Sequence, residues 1–261
     1  MPEQLAFNMD CIFGMMKMED CCVDLTVTSP PYDTLRDYNG FSFDYKATLD
    51  QLFRITKPGG VVVWIVADQT INGSESGTSF KQALYAKEIG FNLHDTMIWN
   101  KNGTPFPDSN RYLPCFEYMF ILSKGNPKST NFIADRENIY AGVKSHGTWR
   151  QKDGSIKPNT SRSVYAEYGR RFNIWSISPV NSSTERTGHP AQFPLRLAKD
   201  HIISWSDEGD MVLDPFLGSG TTRIAAYDLN RNFIGFEISK EYFELQEERF
   251  AKHTAQLDLF H

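Results

Sequence analysis

The tetrapeptide Ser29-Pro30-Pro31-Tyr32 carries residue types that could bind a flat chemical group bearing an amine. Two consecutive prolines fix φ and supply no N–H, so the apolar strand predicted before them cannot continue in a ladder. The turn therefore offers carbonyl oxygens, a serine hydroxyl and a tyrosine ring at the carboxyl end of a strand, where open α/β sheets bind ligands. A planar amine could stack on Tyr32 and donate its protons to Ser29 and to the Pro30 carbonyl.

A second segment, Asp214-Pro215-Phe216-Leu217-Gly218-Ser219-Gly220-Thr221-Thr222, joins a predicted strand to a predicted helix. Its glycines would let the backbone approach a ligand closely, and a strand–turn–helix suits a nucleotide-like ligand. The spacing matches neither the Rossmann dinucleotide fingerprint nor a P-loop. The next predicted strand ends at Glu237, and an acidic residue at that position can bind the two hydroxyls of a ribose.

The elements that must position these residues alternate between strands and helices. Hydrophobic periodicity predicts strands over residues 5–11, 23–28, 61–66, 93–99, 116–123, 211–213 and 232–237. It predicts helices over residues 12–19, 44–56, 79–89, 191–204, 223–229 and 239–252, with Lys57-Pro58-Gly59-Gly60 as a helix terminator. This alternation predicts a mainly parallel sheet with helices on both faces.

Charge is distributed unevenly along the chain. The net charge is −5, yet the segment from Lys124 to Arg186 holds 11 Lys or Arg against 5 Asp or Glu. Between Lys124 and about Asn181 the apolar periodicity fades, which predicts an inserted subdomain or a set of loops. A basic segment within an acidic protein is a candidate surface for contacting phosphates.

Composition favours a cytoplasmic globular protein. The 261 residues are 40% hydrophobic and 23% charged, which is typical of soluble domains. No apolar run is long enough to span a membrane, and residues 1–4 lack the features of a signal peptide. Four cysteines without metal-like spacing, two of them adjacent, favour a reducing compartment, so we predict no metal site.

Together the two motifs resemble those of the DNA amino-methyltransferases, in the class with beta-type motif order. In that class Ser/Asp-Pro-Pro-Tyr precedes Asp-Pro-Phe-x-Gly-Ser-Gly-Thr, and a target-recognition region separates the two, as the basic segment does here. The resemblance implies a Rossmann-like fold dependent on S-adenosylmethionine, an α/β fold with a seven-stranded mixed sheet flanked by helices. It divides the chain into a catalytic half (1–123), a target-recognition insertion (124–186) and a cofactor-binding half (187–261).

The resemblance also implies the roles of individual residues. The catalytic residues would be Ser29, Pro30, Pro31 and Tyr32. Asp10-Cys11 would contact the adenine, Glu237 would hold the ribose, and the segment His189-Pro190-Ala191-Gln192-Phe193-Pro194 would lie beside the methionine end, although Phe193 replaces the usual lysine. The cofactor-binding residues would be Asp10, Cys11, Thr28, His189, Gln192, Pro194, Asp214, Pro215, Phe216, Gly218, Ser219, Gly220, Thr221 and Glu237.

The expected chemistry is direct methyl transfer to an exocyclic amine. Such an amine is a poor nucleophile because its lone pair conjugates with the ring. If Ser29 and the Pro30 carbonyl accept its two protons, the nitrogen becomes more tetrahedral and can attack the sulfonium methyl in line, without a covalent enzyme intermediate. Because the base cannot be reached inside the duplex, it must be flipped out, and Tyr32 would stack on it.

Double-stranded DNA is the expected partner, and the basic segment would select its sequence. Its predicted DNA-binding residues, which could contact phosphates or guanine edges, are Lys144, Arg150, Lys152, Arg162, Arg170 and Arg171. A cognate restriction endonuclease and a homodimer are partners suggested by analogy alone.

Serine at position 29 resembles the cytosine-N4 subgroup, so the predicted product is N4-methylcytosine in DNA. The alternative is adenine-N6 methylation with the same fold and mechanism, because both target amines present similar hydrogen-bonding geometry. A protein that binds nucleic acid without catalysis on the same fold is a third hypothesis.

Pro114-Cys115 matches the nucleophile of carbon-5 cytosine methyltransferases. It precedes an apolar strand, however, and the motif order differs from that class, so Cys115 is interpreted as structural.

Overall fold

The computed structural model describes residues 2–31, 43–103, 110–145, 147–159, 163–180 and 192–258. The chain forms two compact units, a larger one of Met1–Asn131 with Asn173–His261 and a smaller one of Phe132–Phe172. Residues 124–131 and 173–180, which we expected in the insertion, lie in the larger unit. The recognition role of 124–186 and the functional division of the chain remain predictions.

The described strands and helices follow the chain in regular alternation at both ends of the sequence. The strands are β1 (Gln4–Asn8), β2 (Val23–Thr28), β3 (Thr56–Val66), β4 (Thr70–Ile71), β5 (Ser74–Glu75), β6 (Asn92–Asn100), β7 (Phe116–Ser123), β8 (Arg136–Glu137), β9 (Thr148–Arg150), β10 (Ile156–Pro158), β11 (Tyr168–Gly169), β12 (Ile174–Ser176), β13 (Met211–Asp214) and β14 (Asn232–Glu237). The helices are α1 (Cys11–Met16), α2 (Tyr45–Ile55), α3 (Thr78–Glu88), α4 (Leu195–Trp205), α5 (Thr221–Asp228) and α6 (Lys240–Asp258).

Eight strands of the larger unit form one mixed sheet in the described part of the chain, in the order β1-β14-β13-β2-β3-β7-β6-β12. Neighbours from β1 to β3 are parallel, as are β6 and β12, whereas β7 is antiparallel to both β3 and β6. The expected α/β fold with a mixed sheet is confirmed. The strand beyond the seven we expected is β12, which is only three residues long and lies in a segment without apolar periodicity.

The sheet buries an apolar layer on each face, which explains why its central strands are continuous apolar runs. On one face Val63 and Ile65 of β3 belong to a cluster with residues of α4 and α5, such as Leu197 and Ala225. On the other face the alternate residues of β3, including Trp64, pack in a cluster with α1, α2 and α3. The expected layers of helices on both faces are therefore present.

The Lys57–Gly60 segment has a second role besides ending a helix. Helix α2 ends at Ile55, one residue earlier than predicted, and Lys57-Pro58-Gly59-Gly60 already belongs to β3. The register between β2 and β3 shifts between Val23 and Leu25, opposite this segment. A prolyl residue lacks the N–H that a regular ladder needs, so the irregular pairing is expected here.

In the described residues no helix combines the length and the apolar character that crossing a membrane would require.

We predict that Gly60→Ala lowers the free energy of unfolding by about 1–3 kcal/mol, the usual effect of overpacking. A Cβ at Gly60 would lie 2.7 Å from Thr56 Cγ2 and 2.9 Å from the Asp24 carbonyl oxygen, and the backbone atom cannot rotate away. Urea unfolding measures the change. The matched control is Gly103→Ala, whose Cβ would meet no atom of the described residues closer than 3.9 Å. Equal effects of the two substitutions would contradict the steric explanation.

Candidate functional site

A cavity lies at the carboxyl ends of four neighbouring parallel strands, β1, β14, β13 and β2. Each strand is followed by residues that line the cavity, because parallel strands end at the same edge of the sheet. The lining residues are Asp10, Cys11, Ile12, Ser29, Pro31, Phe43, Asp44, Thr48, Phe193, Pro215, Phe216, Leu217, Gly218, Ser219, Thr221, Phe236, Glu237, Ile238, Ser239 and Tyr242. The structure therefore brings the two sequence motifs to one site.

The first part of the wall follows β1. Asp10 is the N-cap of α1, and its Oδ1 accepts the N–H groups of Ile12 at 2.9 Å and Phe13 at 3.1 Å. Next to it, Cys11 is buried, and burial, with the nearby charge of Asp10, raises the pKa of its thiol to about 12. A raised pKa keeps the thiol neutral near pH 7, whereas a cysteine nucleophile needs a lowered pKa.

The glycine turn after β13 is held by contacts with β14 and with α6. Gly218 and Gly220 have φ of 49° and 76°, values that strain residues with a Cβ, and Gly220 is the N-cap of α5. The Leu217 N–H donates to the Phe236 carbonyl at 2.9 Å. Arg249 of α6 donates to the Ser219 carbonyl at 2.7 Å and to Thr221 Oγ1 at 3.0 Å. No motif in the sequence pointed to Arg249, because its contact depends on how α6 packs.

Glu237 at the end of β14 is fixed by two backbone donors. The Gly218 N–H donates to Oε2 and the Ser239 N–H donates to Oε1, both at 2.8 Å. The side chain is 9% exposed, and burial raises the pKa of its carboxyl. A carboxylate held in one orientation at a cavity wall can accept two neighbouring hydroxyl protons, as a ribose requires.

Asp214 lies behind the wall and does not line the cavity. Its Oδ1 accepts from Thr28 Oγ1 at 2.7 Å and from the Phe216 N–H at 3.1 Å, and its Oδ2 accepts from Thr222 Oγ1 at 2.7 Å. Burial raises the pKa of its carboxyl to about 6, although these three hydrogen bonds oppose the shift. Asp214 and Thr28 thus connect the two motifs from inside the protein.

The catalytic motif reaches the cavity directly. Ser29 and Pro31 line it, whereas Pro30 is buried and is not part of the lining. The predicted stacking residue Tyr32 lies outside the described residues. Ser29 directly follows Thr28, the last β2 residue that pairs with β3.

The segment before α4 contributes one side chain to the wall. Phe193 lines the cavity, whereas the predicted cofactor residues Gln192 and Pro194 do not, and Pro194 is the N-cap of α4. His189 lies outside the described residues. Gly220 is also absent from the lining, although its neighbours Ser219 and Thr221 belong to it. The cofactor roles of all these residues remain predictions.

Several lining residues carry no sequence signal of their own. Ile238 and Ser239 could have been found because they follow Glu237, and Leu217 lies within the glycine motif. Phe43, Asp44 and Thr48 come from the start of α2, and no local pattern indicates that this end of the helix faces the cavity. Cys115 is exposed and does not line the cavity, so it is not a packed core cysteine.

The smaller unit carries four of the predicted DNA-binding residues as exposed side chains. Lys144, Arg150, Lys152 and Arg170 are exposed. Arg171 instead forms an ion pair with Asp135, in which Nε donates to Oδ1 at 3.0 Å, and only 15% of its side chain is exposed. Arg162 lies outside the described residues.

A cavity at the ends of parallel strands, with a glycine turn and a fixed carboxylate after the next strand, defines an α/β protein that binds a nucleoside-like ligand. Residues 23–248 match the family described as DNA methylase, so the chain belongs to that family.

Two curated relatives show how far the similarity extends. The chain is 54% identical over 240 residues to the orphan methyltransferase M.BamHII of Bacillus amyloliquefaciens, covering 90% of this chain and 91% of that protein. It is 27% identical over 253 residues to the type II methyltransferase M.HpaI of Haemophilus parainfluenzae, covering 92% of this chain and 72% of that protein.

Solved structures agree with the fold. A putative DNA modification methylase from Thermus thermophilus, complexed with S-adenosyl-L-methionine, matches with a TM-score of 0.66 and 26% identity, covering 96% of this chain and 94% of that one. The cytosine-N4-specific PvuII DNA methyltransferase matches with a TM-score of 0.68 over 94% of this chain and 85% of that one. At 20% identity, the second similarity concerns the fold alone.

The chain is therefore an S-adenosyl-L-methionine-dependent DNA methyltransferase of the N6/N4 family, and the expected family and cofactor are confirmed. The residues of the cavity fit this cofactor. Glu237 presents a fixed carboxylate suited to ribose hydroxyls, Phe216 and Phe236 supply aromatic surface, and Gly218 removes side-chain bulk from the turn. Asp10 adds an acidic group at the wall.

We predict that Asp214→Asn changes how the stability of the ligand-free protein depends on pH. The pKa of Asp214 is raised from 3.8 to about 6, so the folded state holds a proton that the unfolded chain releases between those values. The contribution of this group to stability is therefore lost as the pH rises through that range. An asparagine does not titrate, and its amide can donate to Thr222 Oγ1, whose own proton can go to the Val27 carbonyl.

The measurement is urea unfolding of both proteins from about pH 4.5 to about pH 7.5, a range that covers the raised pKa. The stability of the Asp214→Asn variant relative to the original protein should increase with pH and level off above the pKa. Asp207→Asn is the control, because hydrogen bonds from Ser129 and Asn131 lower the pKa of Asp207. The difference in free energy of unfolding between the Asp207→Asn variant and the original protein should stay constant over the same pH range. A constant difference for Asp214→Asn would show that the pKa of the Asp214 carboxyl is not raised.

Proposed function

We propose that this chain methylates the exocyclic N4 amine of a cytosine flipped out of duplex DNA. The observation that carries the proposal is the position of Ser29, which directly follows β2 and lines the same cavity as the glycine turn that follows β13. A hydroxyl there can accept a hydrogen bond from an amine brought to the mouth of the cavity. Serine at the first position of the motif is the residue type of the cytosine-N4 subgroup.

The residues that would hold the cofactor are Glu237 at the ribose, Asp10 near the base and Phe216 with the Gly218–Ser219 backbone along the turn. When bound, S-adenosylmethionine supplies an electrophilic methyl group on a sulfonium sulfur. Phe43, Phe193 and Phe216 form an apolar part of the wall, which excludes water from the reacting groups.

The catalytic motif acts on the amine by accepting a hydrogen bond from each of its two N–H groups, at Ser29 Oγ and at the Pro30 carbonyl, and one of these protons leaves to solvent once the methyl group has bonded to nitrogen. Both bonds weaken the conjugation of the nitrogen lone pair with the ring, and they orient that lone pair towards the cavity. Most of the rate enhancement then comes from positioning and desolvation of the amine. Tyr32 would stack on the extruded base.

Adenine-N6 methylation is the second candidate, because the family contains enzymes of both specificities and the two amines have similar hydrogen-bonding geometry. The relative with 54% identity is named an orphan methyltransferase, and a cognate restriction endonuclease for this chain remains a prediction by analogy. The homodimer and the cytoplasmic location remain predictions.

We propose that the smaller unit contacts the DNA backbone through its exposed cations. The two-stranded hairpin of β9 and β10 carries Arg150 and Lys157, and Lys152 lies in its turn. All three side chains are exposed. The hairpin carries one carboxylate, Asp153, against these three cations, so its net charge is positive.

Incubation with unmethylated DNA and S-adenosylmethionine should yield N4-methylcytosine, detected by mass spectrometry of the digested nucleosides. Ser29→Ala should lower the rate by about 100-fold, because the amine loses one proton acceptor and its orientation. Binding of S-adenosylhomocysteine, measured by calorimetry, should remain within a few-fold. N6-methyladenine as the product would refute cytosine specificity and keep the mechanism, whereas no methylated base would refute DNA methylation by the isolated chain.

Substitution of Arg150 by glutamine should weaken DNA binding and reduce the slope of log K against log salt by about 0.9, the effect of one lost phosphate contact. Arg171→Gln is the matched control, since the guanidinium of Arg171 is already paired with Asp135. Fluorescence anisotropy at several salt concentrations measures both. A reduced slope for Arg171→Gln alone would place the DNA contact at the paired arginine.

A further inference from the structure

We infer that Thr28 is a positioning residue, which sets the position of the catalytic turn relative to the cofactor turn and does not contact the cofactor itself. The inference rests on the proposed function in that its main readout is the methyl-transfer reaction. The inference holds whether cytosine or adenine is the target base, because it depends only on where Ser29 is held.

The backbone pairing of β2 explains why a side chain is needed at this point. Strand β2 remains paired with β3 up to Thr28, which lies opposite Trp64. On its other side, the pairs with β13 are Val212 with Leu25 and Leu213 with Thr26. Beyond Leu213, the hydrogen bond from Thr28 Oγ1 to Asp214 Oδ1 at 2.7 Å links the two strands at the ligand edge through side chains.

This hydrogen bond joins residues that are 186 positions apart in the chain. Thr28 is 0% exposed and Asp214 1% exposed, and neither lines the cavity. A group in that position cannot touch a cofactor in the cavity. Asp214 also binds α5, because its Oδ2 accepts a hydrogen bond from Thr222 Oγ1 at 2.7 Å.

The cofactor turn has restraints that do not involve Thr28. The Gly218 N–H donates to Glu237, and Arg249 donates to the Ser219 carbonyl. Loss of the Thr28 hydroxyl should therefore leave the cofactor turn in place and let the turn that begins at Ser29 shift relative to it. Methyl transfer is sensitive to such a shift, because a misplacement of about 1 Å costs on the order of 100-fold in rate.

The test uses the full chain with three variants. Thr28→Val keeps the shape of the side chain and removes the hydroxyl, so kcat should fall by about 10-fold to 100-fold. The dissociation constant of S-adenosylhomocysteine, measured by calorimetry, should stay within about threefold, since its contacts are unchanged. Thr28→Ser keeps the hydroxyl and should recover most of the rate.

Thr26→Val is the matched control on the same strand. Thr26 is also 0% exposed, and its hydroxyl oxygen has no hydrogen-bond partner among the described residues. The same isosteric change two residues earlier therefore removes no bond and should leave kcat and cofactor binding unchanged.

A second readout needs no catalysis. The hydrogen bond from Thr28 lowers the pKa of Asp214, so Thr28→Val should raise that pKa further. In urea unfolding of the ligand-free protein, the loss of stability with rising pH should then extend to a higher pH than in the original protein. Thr26→Val should leave the pH range unchanged.

Two results would overturn the inference. One is that Thr28→Val weakens S-adenosylhomocysteine binding while kcat is retained, which would make Thr28 a cofactor contact. The other is that Thr28→Val and Thr26→Val behave alike. If the original protein methylates no DNA, the proposed function fails, whereas the unfolding measurement still tests the bond between Thr28 and Asp214.

Discussion

The carboxylate of Asp214 is the interaction on which the arrangement of this site depends. A buried carboxylate is costly unless donors surround it, and here Thr28, Thr222 and the Phe216 N–H supply three hydrogen bonds. These donors belong to β2, to α5 and to the turn between β13 and α5. One side chain therefore connects the two motifs that the chain carries near its opposite ends.

A second acidic residue plays a comparable role at the other end of the same strand pair. Asp24 near the start of β2 accepts the Met211 N–H at 3.0 Å and the Lys57 ammonium at 2.6 Å. Strands β2 and β13 are thus joined by carboxylates at both ends, with buried residues between them. Because both ends are fixed, the turns that follow these strands have defined positions at the edge of the sheet.

The predicted elements around the motifs agree closely with the structure, and the disagreements have physical causes. Strand β2 has the predicted bounds, and α2 differs by one residue at each end. These segments have clear apolar periodicity and strong end signals, such as Asp44 at the N-cap of α2. Strand β12 was missed because three residues at the edge of a sheet are ordered by pairing with β6, which no local pattern reveals.

The sequence by itself determined the class of fold, the order of the motifs and half of the residues that line the cavity, because residue types such as glycine, proline and aspartate act locally on the backbone. Only the tertiary structure showed that Thr28 and Asp214 lie behind the cavity wall and that Arg249 supports the glycine turn. It also distinguished the paired Arg171 from the exposed cations near it in the smaller unit. Those distinctions depend on which atoms of distant segments meet, and sequence spacing does not specify such contacts.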